Sequence, residues 1–309
     1  MKTRKIVFIL GLYFCLSGCS RYQTFFGPTE TLSNSDRQPV YRLHLGDTPD
    51  DSIFALLPRY SDLRMLDLSG KRNIDLTRVF ASIPQPDQLK VLLLDSLDLK
   101  QLPDNIRRFS QLEQLSLNGN PDLMHPKTFV TLKSLPLEFL NLQHNYLQEV
   151  PAGLKHISTL QDLNLSYNRL QLDTNFDSLV QLTDLKSLWL TGNQLQALPY
   201  SLFSLTQLCN LYIEHNQLTA IPEDIQQLKN VWIIHAGHNQ FTELPAAFAR
   251  MPSLLLLHSN NCKIRSVSSI YETKRSNVKG LILDQNPLDP LTKERLQKRS
   301  RRYFLLSVE

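Results

Sequence analysis

The sequence predicts an α/β solenoid, with a parallel sheet lining a concave face and short helical or irregular segments lining the convex one. Three observations carry this. The pattern LxxLxLxxNxL recurs ten times between Leu63 and Leu288, with starts 23 to 26 residues apart, a period that marks stacked repeats. Its Asn position is filled by Asn120, Asn145, Asn168, Asn193, Asn216, Asn239 and Asn286. Finally, Leu102-Pro103, Val150-Pro151, Leu198-Pro199, Ile221-Pro222 and Leu244-Pro245 each fall 13 and 14 residues after their repeat begins.

Each element has a local reason. In the copy that starts at Leu185, Leu188 and Leu190 are two apart, so both point to one side of a short strand. One repeat cannot bury that side alone; stacking lays the strands in parallel over a continuous leucine core. The Asn amide both donates and accepts, which suits it to backbone groups of adjacent turns that stacking would otherwise leave buried and unpaired. Lys71, Leu97 and Cys262 interrupt the Asn series, and the first two repeats read as irregular. After each Pro, apolar residues follow at three and six positions: Ile106 and Phe109, Leu202 and Leu205, Ile225 and Leu228, Phe248 and Met251. A short helical turn entered through the fixed φ of Pro would face them inward. A weaker copy, Val40-Tyr41-Arg42-Leu43-His44-Leu45, reads as the start of an N-terminal cap.

These residues resemble the leucine-rich repeat family over 63–288, which implies a horseshoe and a binding role on its concave face. The family admits Cys at the position of Cys262. Around the repeats the domain reading is 1–18 signal peptide, 19–39 tether, 40–62 N-terminal cap and 289–309 C-terminal cap. Lys2, Arg4 and Lys5 precede the apolar run from Ile6 to Leu16 and small residues, the layout of a secretory signal. Leu16-Ser17-Gly18-Cys19 resembles the lipobox of bacterial lipoproteins, which implies cleavage before Cys19 and its lipidation. The expected location is the bacterial cell envelope, lipid-anchored at the outer membrane or cell surface. An 11-residue apolar run is too short to span a bilayer.

Removing 1–18 takes away three basic and no acidic residues, so the formal charge falls from +4 to +1. That leaves no electrostatic case for nucleic acid. Cys209 and Cys262 lie two repeats apart at different repeat positions, which argues against a disulfide. At the C-terminus, Leu291, Leu296 and Tyr303 to Leu306 are expected to cover the last repeat. The basic residues Lys293, Arg295, Lys298, Arg299, Arg301 and Arg302 either belong to that cap or face anionic lipid.

Function is expected on the exposed positions between the leucines. The column between the second and third leucines runs through Trp189, Tyr212, His235 and His258, and adjacent columns add Phe139, Tyr167, Ile233 and Leu256. A band of large amphipathic side chains reads as a protein or peptide site; lateral stacking that merely stabilises the sheet is the other reading. The candidate partner-binding residues are Phe139, Tyr167, Trp189, Tyr212, His235 and His258. By register His235 neighbours His258, and His215 neighbours His238. His235-Ala236-Gly237-His238 lacks the spacing and companion ligands of a zinc site, so neither a metal nor a cofactor is expected. Asp95, Glu113, Glu138 and Asp162 are expected to be solvated carboxylates; with no hydrolase, nucleotide or metalloprotease motif in the chain, no enzyme is predicted. An adhesive envelope component that contacts a host or neighbouring-cell surface, glycan included, is the alternative.

Overall fold

A computed structural model describes residues 39–46, 48–172 and 175–309. The signal peptide, Cys19 and all of the tether but its last residue lie outside the described residues. The described residues form two compact units, those up to 147 with 151–164 in one and those of 148–150 with 165–309 in the other.

The first unit contains β1 (Arg42–His44), β2 (Met65–Asp67), β3 (Val91–Leu93), β4 (Gln114–Ser116), β5 (Phe139–Asn141) and β6 (Asp162–Asn164), paired in chain order and all parallel. Its register stacks Leu43, Leu66, Leu92, Leu115, Leu140 and Leu163 in one line, each fully buried. Three α-helices, α1 (Asp50–Leu56), α2 (Leu76–Ser82) and α3 (Pro126–Leu132), return the chain between strands. Asp75 caps α2 by accepting a hydrogen bond from the Arg78 N–H at 3.1 Å.

In the second unit β7 (Ser187–Trp189), β8 (Asn210–Tyr212), β9 (Ile233–His235), β11 (Leu256–His258), β13 (Gly280–Ile282) and β14 (Leu305–Ser307) pair in the same way. The buried line runs Leu188, Leu211, Ile234, Leu257 and Leu281. A two-strand ladder of β10 (Glu243–Leu244) and β12 (Ser266–Val267) supports the returning segments. The proline expectation is met there: Tyr200–Ser204 and Glu223–Gln227 form 3-10 turns directly after Pro199 and Pro222, and α4 (Ala246–Arg250) follows Pro245. Leu202, Leu205, Ile225, Leu228, Phe248 and Met251 are all buried.

The asparagines hold the turns together. Asn193 Nδ2 donates to the Leu165 and Leu190 carbonyls, each at 3.0 Å, while its Oδ1 accepts from the Leu170 N–H at 3.0 Å. Asn216 and Asn239 repeat this one and two copies later. Cys262 is a weaker copy of the same device: its Sγ accepts from the Asn239 N–H at 3.4 Å and donates toward the Ala236 and Asn260 carbonyls at 3.6 Å.

At the C-terminus, α5 (Pro290–Lys298) is capped by Asp289 and buries Leu296. Leu291, expected to cover the last repeat, is instead 72% exposed, because it occupies the first turn of α5 on the side away from Leu296. Phe304 and Leu305 are exposed as well, whereas Tyr303 is buried and its hydroxyl donates to the Tyr271 carbonyl at 3.0 Å. Part of the basic cluster turns inward. Arg295 and Arg299 form ion pairs with the buried Glu272 carboxylate at 2.6 and 3.0 Å, and Arg302 donates to the Tyr271 and Ser276 carbonyls.

Candidate functional site

The outward residue of each strand of the second unit falls beside its equivalent one strand away, because the register is unbroken: Trp189 pairs with Tyr212, Tyr212 with His235, and His235 with His258. Strands in a sheet lie about 4.7–4.9 Å apart, a separation that suits stacked rings. The Trp189 and Tyr212 rings are 5.0 Å apart and nearly coplanar in tilt, 6°. Tyr212 and His235 follow at 4.9 Å and 27°. His258 breaks the stack by turning edge-on to His235, at 4.4 Å and 71°, which brings the two Nδ1 atoms to 3.1 Å. Four rings on four strands thus form one ladder, each of them half-buried.

A second row stands on the turns that follow the strands. Tyr167, Gly192, His215 and His238 occupy the residue before the Asn, and all have positive φ, between 52° and 68°. His215 and His238 stack at 3.9 Å and 13°. Tyr167 leans over Gly192: a Cβ there would come within 2.5 Å of Tyr167 Cδ1, so this glycine supplies both the left-handed turn and the seat for the ring. Tyr167 therefore belongs with this row and not with the ladder.

Phe139 joins neither row. It is only 7% exposed, on β5 of the first unit, between Gln114 and Asp162 at the same strand position. Most of the column that precedes the middle leucine is shielded by flanking side chains, Ser187, Asn210 and Ile233 included, whereas Leu256 is half-exposed. The expectation of an exposed Phe139 and Ile233 is corrected accordingly. So is that of solvated carboxylates: Asp162 is 1% exposed, and burial raises the Asp95 carboxyl above its usual range despite hydrogen bonds from Ser116 and Asn118.

The sequence reading passed over Glu214. It lies two residues beyond Tyr212, hence on the same face, and its Oε1 is 3.4 Å from His235 Nδ1. Burial pushes its carboxyl up, but the His235 hydrogen bond and the charges of His235, His258 and His215 outweigh that and hold it below the ordinary carboxylate range. Burial, and then the charge of His235, lowers His258; burial, and then His215, lowers His238. Near neutral pH the picture is an ionised Glu214 among uncharged His238 and His258 rings. Among the described residues, no three His, Cys, Asp or Glu side chains are placed to hold a metal ion.

Residues 183–241 match the family profile described as Leucine rich repeat, the stretch that carries Trp189, Tyr212 and His235. The fold is a leucine-rich repeat solenoid. Mouse (Mus musculus) podocan is 32% identical to the chain over 171 residues, covering 47% of this chain and 27% of podocan. The flightless-1 homolog of Caenorhabditis elegans is 31% identical over 111 residues, 36% of this chain and 9% of that protein. Among solved structures, the plant peptide hormone receptor RGFR1 in complex with RGF2 is similar with a TM-score of 0.55 and 20% identity, covering 86% of this chain and 42% of that one. An internalin of Listeria monocytogenes has a TM-score of 0.51 and 18% identity, covering 87% and 67%. The chain thus spans about a quarter of podocan and less than half of the receptor chain.

Proposed function

We propose that the chain is a lipid-anchored leucine-rich repeat protein of the bacterial cell envelope that binds a protein or peptide partner across the Trp189, Tyr212, His235 and His258 ladder. The observation that carries the reading is the ladder itself. Large rings held half-exposed on rigid strands give contact area with little rotamer entropy left to lose. The peptide-hormone complex of the similar receptor structure supports a peptide partner by analogy of fold alone.

Ring orientation favours this partner over a glycan. Tyr212 is covered on one face by Trp189 and on the other by His235, so it turns edges, a phenolic hydroxyl among them, toward a partner. A sugar stacks on an open ring face; a peptide amide hydrogen-bonds to ring edges. The anchoring half of the proposal rests on Leu16-Ser17-Gly18-Cys19. Two experiments test the two halves. Labelled palmitate is expected in the wild type and absent in Cys19→Ala; equal labelling sinks the anchor. Envelope protein captured by the full-length chain is expected to be lost in a Trp189→Ala, Tyr212→Ala double variant with no signal on a glycan panel. Capture that survives the double variant, or glycan binding that depends on the rings, contradicts the site.

A further inference from the structure

The ladder has one carboxylate beside it, and its surroundings say what a partner should bring. The Glu214 side chain is 26% exposed, with His235 as its ion-pair neighbour. Carrying the Tyr212 and His235 register on by two residues sets Gly237 beside Glu214, in line with the 3.1 Å hydrogen bond from the His215 N–H to the Gly237 carbonyl. Gly237 has no side chain to cover the carboxylate. From the far side the Asn260 carboxamide leans in, so that a Cβ on Gly237 would fall 2.5 Å from Asn260 Oδ1. The acidic group at the same rim position three repeats beyond Glu214, Asp284, is engaged by Ser307 Oγ at 2.7 Å and the Glu309 N–H at 2.9 Å. Lys186 and Lys279 precede β7 and β13, at the opposite ends of the strands.

The contact between the two imidazoles limits how many of them can carry charge beside Glu214. A 3.1 Å contact between His235 Nδ1 and His258 Nδ1 needs one nitrogen with a proton and the other bare. Protonating both rings sets two N–H groups against each other, so the observed geometry belongs to a ladder that is not doubly charged. The groups facing His235 are Tyr212 and Glu214 from the β8 repeat and His258 from β11, with Asp284 acting on His258 from beyond β13; His238, on the same repeat as His235, stacks on His215.

Building on the peptide-binding reading, we propose that the partner segment is basic: a lysine or arginine side chain pairs with the Glu214 carboxylate beside the ring ladder. The rings then supply shape and the hydrogen-bonding edges, while Glu214 selects the charge. A fixed carboxylate at the margin of an aromatic patch rejects acidic segments by repulsion as much as it attracts basic ones.

The probe is a phage-displayed random dodecapeptide library, panned at about pH 7.5 on the full-length wild type, on Glu214→Gln and on the Trp189→Ala, Tyr212→Ala variant, with melting curves confirming that each is folded. Peptides from the wild type are expected to be enriched in Lys and Arg, and peptides from Glu214→Gln not. A synthetic copy of a selected peptide is expected to bind about tenfold more weakly to Glu214→Gln than to the wild type. Peptides that need the rings but show no basic enrichment, or an enrichment unchanged by Glu214→Gln, overturn the proposal. Selection indifferent to the double variant removes the ring ladder as a binding surface, and the basic partner with it.

Discussion

The two units build the same strands from the same leucines and dress them in opposite ways. In the first, the outward face is a polar network: Asn141 Nδ2 donates to Ser116 Oγ at 3.0 Å, Ser116 Oγ to Asp95, Asn164 Nδ2 to Gln143 Oε1 at 3.3 Å, and His44 Nδ1 meets Asp67 Oδ2 at 2.7 Å. In the second, the equivalent positions hold Trp189, Tyr212, His235 and His258, ring on ring. Polar side chains bonded to one another have already spent their hydrogen-bonding capacity within the sheet. The ladder instead presents large ring surfaces at the same positions. Equal backbones with unequal faces separate what the leucines do from what the residues between them do, and the ring-bearing face of the second unit is the one proposed to bind.

The leucine line should be where the units agree. Leu115→Ala and Leu188→Ala each empty a fully buried site, and each is expected to cost about 2–5 kcal/mol in urea denaturation. A clear inequality between them breaks the claim that the core is common to both. Next in size is the asparagine device. Asn193→Ala strips three hydrogen bonds from buried backbone groups and is expected to cost about 2–3 kcal/mol, while Cys262→Ala, with only long sulfur contacts to lose, should cost about 1 kcal/mol. Equal losses would mean that the amide pattern is not what ties the turns.

How far these contrasts were legible in the sequence depends on whether periodicity determines them. Leu188 and Asn193 are fixed by the repeat: their side-chain direction follows from strand geometry, and their partners follow from the next copy. The adjacency of His235 to His258, and of His215 to His238, follows from the same register. Phe139 shows the limit, because its burial depends on the size and reach of side chains on β4 and β6 and not on its own position. Ring planes are likewise set by side-chain torsions that no spacing encodes, so the edge-on turn of His258 had no sequence signal. Glu214 does have one, since it shares the face of Tyr212 by period two.

Smaller effects sharpen the contrast between faces. Trp189→Ala and Tyr212→Ala remove a stack worth about 0.5–1.5 kcal/mol, so each should lower stability by no more than about that much while abolishing partner capture. Acid should separate the units with a smaller signal still. The folded values of His238 and His258 lie below the ordinary imidazole value of about 6.5, so the unfolded chain binds more protons as pH falls past that value, and the second unit loses stability between about pH 7 and 5. Asp95 has the opposite sign: its folded value is raised, so it favours the first unit only on acidification toward its ordinary value of 3.8. Amide hydrogen exchange at the two pH values should therefore loosen β8, β9 and β11 while sparing β3 and β4, and a His238→Gln, His258→Gln variant should flatten that response.

The measurement that reaches the central claim most directly is site-specific photo-crosslinking in intact cells, with the photoreactive residue placed in turn at Tyr212, at Asn141 in the same column of the first unit, and at Gln226 on a returning turn. A protein adduct at position 212, with none at 141 or 226, is the result this account requires. Adducts at 141 in equal yield, or at 226 alone, would contradict it and move recognition away from the ring ladder.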